Sequence, residues 1–160
     1  MQDKTIAWST AVSKDWIDYN GHMGDWAYVY AFSLANDKDM ETVGIGEDYR
    51  RRSGCTMYTM TSVIHYYREL KLGAPIEITA YLADLDNKRV HYWMELFDAN
   101  GDLAAAYETL LMHVKQTPER VFSTEFPEDI YERLVARQEK DSDLPRPELL
   151  GASVGIRRKV

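Results

Sequence analysis

The sequence contains a single cysteine, Cys55, in 160 residues. One cysteine excludes an internal disulfide framework and a cysteine-based metal site. The four histidines also lack the spacing of zinc ligands; they are His22, His65, His91 and His113. Long hydrophobic runs are missing too, since none approaches the roughly 20 apolar residues that span a bilayer. We therefore expect a globular, cytoplasmic protein that binds no metal and makes no membrane contact.

Basic residues are outnumbered in this chain. It has 19 Lys and Arg against 26 Asp and Glu, which gives a net charge of −7 at pH 7. Nucleic-acid binding needs a basic field, so we expect no nucleic-acid partner. The phosphate-binding motif Gly-x-x-x-x-Gly-Lys and the nucleophile motif Gly-x-Ser-x-Gly are also absent. A small anionic ligand remains compatible with this composition if basic residues gather at its site.

The most informative stretch has the sequence Trp-Ile-Asp-Tyr-Asn-Gly-His-Met-Gly-Asp-Trp and covers residues 16–26. The pattern predicts a strand that ends at Ile17 and a turn through Asn20 and Gly21. Asp18 would then lie on a strand-to-helix turn. Backbone N–H groups at the start of the following helix could receive developing negative charge close to this carboxylate.

A helix is predicted directly after this turn. Asp25 is the expected N-cap, and the helix should end near Thr42. Residues 26–35 are apolar on nearly every side of this helix. Such a helix must be surrounded by other elements.

The rest of the chain is rich in strand-forming residues. We predict strands over 5–13, 55–70, 76–85, 89–97 and 103–115, a polar connection over 45–54, and a surface helix over 127–139. In the first strand the expected inward residues are Ile6, Trp8 and Val12. Strand 89–97 should alternate, with one face formed by Val90, Tyr92, Met94 and Leu96 and the other by His91, Trp93 and Glu95.

This order of elements predicts an α+β fold, in which a long antiparallel sheet wraps around one central helix and a C-terminal helix lies on the surface. Strands of 10 to 13 residues reach about 33 to 43 Å, enough to curve around a helix of three to four turns. The exposed sheet edges favour a homodimer or a dimer of dimers. We assign residues 1–140 to this domain and residues 141–160 to a polar tail that is loose or draped over a neighbour.

The motif Asp18-Tyr19-Asn20-Gly21-His22-Met23 ahead of the helix resembles the hotdog-fold acyl-CoA thioesterases of the 4-hydroxybenzoyl-CoA thioesterase type. The longer string from Trp16 to Met23 is more narrowly similar to the betainyl-CoA thioesterases of carnitine catabolism. The motifs that accompany it are Tyr58-Thr59, Asp86-x-Lys88-Arg89-x-His91 and Glu108 to Val114. The similarity covers roughly residues 8–134. It implies a hotdog fold and hydrolysis of an acyl-CoA to free acid and CoA, without a cofactor.

This resemblance assigns the chemistry to Asp18, which either attacks the thioester carbonyl or activates water. Backbone N–H groups of Gly24 and Asp25 would stabilise the oxyanion. Asn20 and His22 would orient the water or the carboxylate. The structural alternative is that Asp18 and His22 only shape the turn and that Asp25 only caps the helix.

The two ends of an acyl-CoA call for different side chains. Candidate ligands for the CoA phosphates are Lys88, Arg89 and Arg68. A betainyl group ends in a quaternary ammonium, which has no hydrogen to donate and is held by aromatic faces and carboxylates. The candidate acyl-binding residues are Trp26, Tyr30, Tyr58, Thr61 and Trp93, with Asp25 close by. The structural alternative is that these aromatic residues belong to the core.

Two other functions stay open at this point. The chain could be a thioesterase for aromatic or short-chain acyl-CoA, since Gly24, Asp25 and Thr61 depart from the pattern of many relatives near the expected pocket. It could also be a hotdog protein that binds acyl-CoA or another small ligand without catalysis. A hotdog dehydratase would require an Asp and His pair on opposing walls.

Overall fold

The computed structural model describes residues 4–158, which form six strands and three α-helices. The strands are β1 (Thr5–Ala11), β2 (Cys55–Tyr66), β3 (Pro75–Leu85), β4 (Arg89–Asp98), β5 (Leu103–Gln116) and β6 (Val121–Ser123). The helices are α1 (Asp25–Thr42), α2 (Glu47–Ser53) and α3 (Glu128–Ser142). The predicted helices and long strands are therefore confirmed, with small differences at their ends. No helix within residues 4–158 is long and apolar enough to cross a membrane.

Three local predictions were wrong. The chain does not enter the turn as a strand, because Lys14–Trp16 forms a short 3-10 helix and Ile17 makes only an isolated bridge to Met23. The N-cap of α1 is Gly24, so Asp25 is the first helical residue. The segment 45–54 is not merely a polar connection. It contains α2, whose acidic first turn and basic last turn match the helix dipole.

The long strands form one antiparallel sheet in the order β1-β3-β4-β5-β2, and β6 pairs with β5. Helix α1 packs against one face, which we term the inner face. The alternation predicted for β4 is confirmed: the inner face receives Val90, Tyr92, Met94 and Leu96. Phe32 of α1 stacks on Tyr107 of β5 with ring centroids 5.1 Å apart. The sheet and the helix thus share one hydrophobic core.

Within a single chain, α1 is covered on one side only. Trp26, Val29 and Tyr30 are 52%, 37% and 50% exposed, whereas Ala27, Ala31, Phe32 and Ala35 are fully buried. A sheet of five strands covers the helix face that points toward it, and the far side projects from the chain. The prediction that the helix is wrapped therefore holds for its sheet-facing side.

The tail lies across the outer face of its own sheet. Leu150 packs against Trp93 there, and Arg158 makes two hydrogen bonds of 2.8 Å with the Asp84 carboxylate. These bonds lower the pKa of Asp84. As far as residue 158, the tail is consequently not loose but packs on its own sheet; residues 159 and 160 lie outside the described part.

Candidate active site

Residues 18–23 form a tight turn that presents Asp18 at the surface of the domain. The Asp18 N–H donates to the His22 carbonyl at 2.9 Å, and the Gly21 N–H donates to the Asp18 carbonyl at 3.0 Å. Gly21 has a φ of +81°, a conformation that favours glycine. The Asn20 N–H donates to Asp18 Oδ1 at 2.8 Å, so a local backbone bond orients the carboxylate. Among residues 4–158, no donor forms a hydrogen bond to Asp18 Oδ2.

The first turn of α1 offers fewer free amides than the sequence predicted. The Gly24 N–H is already bonded to the Trp16 carbonyl at 2.8 Å. The Trp26 N–H donates to Asp25 Oδ1 at 2.9 Å. The Asp25 N–H has no acceptor among residues 4–158. The structure therefore leaves the Asp25 amide, rather than the Gly24 amide, as the available donor at this helix start.

An open cleft of about 360 Å³ connects the turn, the start of α1 and the segment that follows β2. A volume of this size is typical of small-molecule sites. The Met23 N–H donates to the Leu70 carbonyl at 2.7 Å and holds the two loops together. The residues that line the cleft are Asp18, Asn20, His22, Met23, Asp25, Tyr28, Tyr66, Tyr67, Arg68 and Glu69. Four of the five predicted catalytic residues thus lie together.

Two tyrosines in the cleft are tied to the backbone through their hydroxyl groups. The Tyr28 hydroxyl donates to the Arg68 carbonyl at 2.9 Å, and the Tyr66 hydroxyl donates to the Asp25 carbonyl at 3.2 Å. Their rings meet edge to face, with centroids 5.4 Å apart. Burial raises the pKa of both phenols. The negative charge of Glu69 raises the pKa of Tyr28 further, and that of Asp25 raises the pKa of Tyr66 further. Both groups therefore stay neutral at physiological pH.

The predicted acyl-binding residues do not come together in this chain. Trp26 is half exposed and packs on Gly24, and Tyr30 contacts Trp16 edge to face. Thr61 and Trp93 lie away from the cleft, because alternation along β2 and β4 turns both side chains to the outer face. The Tyr58 hydroxyl accepts a hydrogen bond from Gln116. These residues therefore form no aromatic cage within residues 4–158 of one chain, and their part in acyl binding stays a prediction.

The candidate CoA ligands fall into two groups. Arg68 lines the cleft, where its guanidinium is 3.3 Å from Asp102. Lys88 and Arg89 are held at the β3–β4 turn by Asp86, which accepts both backbone N–H groups and the Arg89 guanidinium. Burial alone would raise the pKa of Asp86, but these bonds lower it. Arg89 also lines a second cleft of about 270 Å³, together with Thr61 and the tail.

Comparisons with known proteins decide the family. The model of the thioesterase-like superfamily matches residues 12–134. The chain belongs to this superfamily. It is also 32% identical to the betainyl-CoA thioesterase of Pseudomonas aeruginosa over 157 residues, which cover 98% of each protein. This member of the superfamily is therefore a thioester hydrolase.

Further relatives of this thioesterase match it in sequence or in fold. The L-carnitine dehydrogenase/betainyl-CoA thioesterase of Rhizobium meliloti is 31% identical, and the match covers 93% of this chain and 30% of that longer protein. A Staphylococcus aureus protein solved in complex with CoA superposes with a TM-score of 0.85 at 28% identity, covering 98% of this chain and 99% of the other. The DHNA-CoA thioesterase of S. aureus, at 16% identity, has a TM-score of 0.77 over 87% and 93% of the two chains and shares the fold. The hotdog prediction is confirmed.

Sequence reasoning missed one wall of the thioesterase cleft. Tyr28, Tyr66, Tyr67 and Glu69 all line it, yet the sequence placed Tyr66 and Tyr67 simply in a long strand. The strand ends at Tyr66, and the chain then turns toward Met23. A pair of aromatic residues followed by alternating charges at a strand end is the only local signal of this wall.

Proposed function

We propose that this thioesterase hydrolyses betainyl-CoA to betaine and CoA and that Asp18 is the reacting carboxylate. The observation that carries the proposal is a carboxylate oxygen and a helix-start amide that lie in one cleft and have no hydrogen-bond partner in the described part of the chain. Thioester hydrolysis needs these two groups, one to deliver oxygen and one to stabilise the oxyanion. The similarity to a betainyl-CoA thioesterase along the whole chain supports the acyl group.

The chemistry follows from this pair of groups. A thioester carbonyl between them would direct its oxygen to the Asp25 N–H and the positive end of α1. Asp18 would then attack the carbonyl carbon to form a mixed anhydride, or take a proton from an attacking water. In both routes the C–S bond breaks, and CoA leaves as the thiolate and takes up a proton. His22 and Asn20, in the same cleft, are proposed to orient the water.

The two routes differ in the fate of solvent oxygen. A single turnover in H₂¹⁸O places the label in Asp18 only if the carboxylate is the nucleophile and the anhydride is opened at Asp18. The general-base route places the label in betaine alone, as does an anhydride opened at the betaine carbonyl, so label in Asp18 is the outcome that decides for the nucleophilic route. Neither route calls for a cofactor, so activity should survive dialysis against EDTA.

We propose that the CoA phosphates are bound by Lys88 and Arg89, which lie together at the β3–β4 turn. Arg68 lines the cleft proposed for the acyl group and is paired with Asp102, so it is not assigned to the phosphates. Basic side chains are the natural ligands of phosphate. Changing Arg89 to Gln should raise KM for the CoA thioester and leave KM for the matching pantetheine thioester unchanged. An equal effect on both thioesters would exclude a phosphate contact.

We also propose that the enzyme is a homodimer joined along β2. This strand is an edge of the sheet, and its central residues 58–62 are exposed. An uncovered edge of this length can pair with a second copy, and the exposed side of α1 would be buried with it. Light scattering should show a dimer for the wild type and a monomer for Met60→Asp. Leu72→Asp, which changes an exposed residue outside the strands, is the control.

Free-thiol release across a panel of acyl-CoAs tests the proposed function. The panel contains betainyl-CoA, acetyl-CoA, butanoyl-CoA and benzoyl-CoA. We expect the highest kcat/KM for betainyl-CoA. If the short-chain or aromatic esters are hydrolysed with higher kcat/KM, the proposed substrate is wrong. If the protein binds acyl-CoA without releasing thiol, the proposal that it is a catalyst is wrong. The proposed cytoplasmic location is tested separately by cell fractionation.

A further inference from the structure

Tyr66 and Tyr67 bring two aromatic rings to the cleft that the hydrolysis does not require. Each of these residues is 48% exposed, whereas Tyr28, whose ring meets that of Tyr66, is 4% exposed. The Tyr66 hydroxyl is tied to the Asp25 carbonyl, so its ring is held at the start of α1. The cleft therefore combines a buried ring with two partly exposed ones.

The charges in the cleft are mostly negative. Asp18, Asp25 and Glu69 line it, and the Glu69 carboxylate lies 3.3 Å from His22 Nε2. Arg68 is the lining residue with a permanent positive charge, and Asp102 stands 3.3 Å from its guanidinium. An acyl-CoA already carries several negative charges on its phosphates. A neutral or anionic acyl group would gain nothing from this lining, whereas a cationic acyl group would be attracted.

A quaternary ammonium fits this combination of groups. It cannot donate a hydrogen bond, so it is held by the negative faces of aromatic rings and by nearby carboxylates. Asp18 and Asp25 are committed to the carbonyl and the helix start. Tyr66, Tyr67 and Glu69 are thus the aromatic and acidic groups that remain for the other end of the acyl group.

We infer that Tyr66, Tyr67 and Glu69 bind the trimethylammonium end of the acyl group and determine the specificity for a cationic acyl-CoA. The inference rests on the proposed function, which it deepens. It replaces the cage expected from Trp26 and Trp93 by residues at the end of β2. These residues contact the substrate away from the reacting carbonyl, so they select the acyl group rather than carry out the chemistry.

Two thioesters that differ only in charge test the inference. Betainyl-CoA and 3,3-dimethylbutanoyl-CoA have the same shape, because a carbon atom replaces the quaternary nitrogen. The ratio of their kcat/KM values measures recognition of the charge alone. We expect the wild type to favour betainyl-CoA, and Glu69→Gln and Tyr67→Leu each to lower the ratio about tenfold, which corresponds to about 1.4 kcal/mol. Tyr67→Phe keeps the ring and should keep the ratio.

Matched controls come from α3, since Glu132 and Tyr131 are exposed there and do not line the cleft. Glu132→Gln and Tyr131→Leu should leave the ratio unchanged. If Glu69→Gln and Tyr67→Leu also leave it unchanged while both esters are hydrolysed, the inference is wrong and the hydrolase stands. If the wild type hydrolyses neither ester, the proposed function falls first.

Inhibition of the wild-type enzyme provides a second test of the cation site that requires no substitution. Choline and 3,3-dimethylbutan-1-ol are a charged and a neutral molecule of the same shape. With 3,3-dimethylbutanoyl-CoA as the substrate, choline should inhibit competitively at least about tenfold more strongly than the neutral alcohol. Equal inhibition by the two compounds would overturn a cation site in this cleft.

Discussion

Replacing Arg137 with methionine should destabilise the enzyme severely. The guanidinium lies in a buried ionic cluster and bonds Asp39 Oδ1 at 2.9 Å, Asp141 Oδ2 at 2.8 Å and the Ala80 carbonyl at 3.0 Å. The side chains of Asp39 and Asp141 are 1% and 0% exposed. Burial alone would lower the pKa of Arg137, but attraction to Asp39 and Asp141 raises it, so the positive charge is retained. The cluster anchors the C-terminal half of α1, the helix whose first turn lines the cleft that contains Asp18.

The expected loss follows from the burial of this cluster. Removing one partner of a buried ion pair costs about 3–5 kcal/mol, because the remaining charge has no compensation. Here two carboxylates lose their guanidinium together. In a chain of this size, such a loss lowers the melting temperature by about 6–20 °C. The loss in unfolding free energy is a large part of the total of about 5–15 kcal/mol that stabilises a typical domain.

Urea unfolding at a fixed protein concentration, followed by tryptophan fluorescence, measures this loss. Arg51→Met is the control, because Arg51 pairs with Asp48 on the surface and such pairs contribute less than about 1 kcal/mol. Adding Asp39→Asn and Asp141→Asn to Arg137→Met should restore part of the stability by removing the unpaired charges. The reasoning is refuted if Arg137→Met is no worse than the control, or if the triple variant recovers nothing.

Three further predictions use the same unfolding assay. Leu150→Ala should cost about 2–4 kcal/mol, because it opens a cavity against Trp93 under the tail; a loss below about 1 kcal/mol would contradict that packing. Gly54→Ala should cost about 1–2 kcal/mol, since φ is +69° and the new Cβ would lie 3.2 Å from the Gln116 carbonyl oxygen; no loss would argue against the left-handed cap. Burial lowers the pKa of His113, so the unfolded chain binds this proton more readily and stability falls as the pH drops below about 6.5. His113→Asn should flatten that decline between pH 7.5 and 5.5, and an unchanged slope would contradict it.

Periodic features of the sequence predicted most of the fold. An apolar run after a turn predicted α1, and side chains that alternate between the two faces of the sheet predicted β4. The turn around Asp18 was predictable because Asn and Gly are typical turn residues. The hydrogen bond from the Asn20 N–H that orients the carboxylate is also local in the sequence. These features depend on neighbours in the sequence.

The rest depends on contacts between distant parts of the chain. A register shift between Ile6 and Trp8 leaves Ile6 exposed, although simple alternation put it inside. Trp93 is buried because Leu150 covers the outer face, and no pattern within β4 indicates that cover. The cleft wall at Tyr66 reaches the turn through the bond between Met23 and Leu70. Neither segment alone contains a sequence pattern that predicts that Tyr66 lines the cleft.

The rate of thiol release from betainyl-CoA by Asp18→Asn tests the central claim most directly. Asparagine keeps the size of the side chain and can still accept the Asn20 N–H bond, so the melting temperature and CoA binding should match the wild type. We predict that kcat falls by a factor on the order of 10² or more, because the only change is the loss of the basic, nucleophilic oxygen. A folded Asp18→Asn enzyme that releases thiol within about tenfold of the wild-type rate would contradict the account.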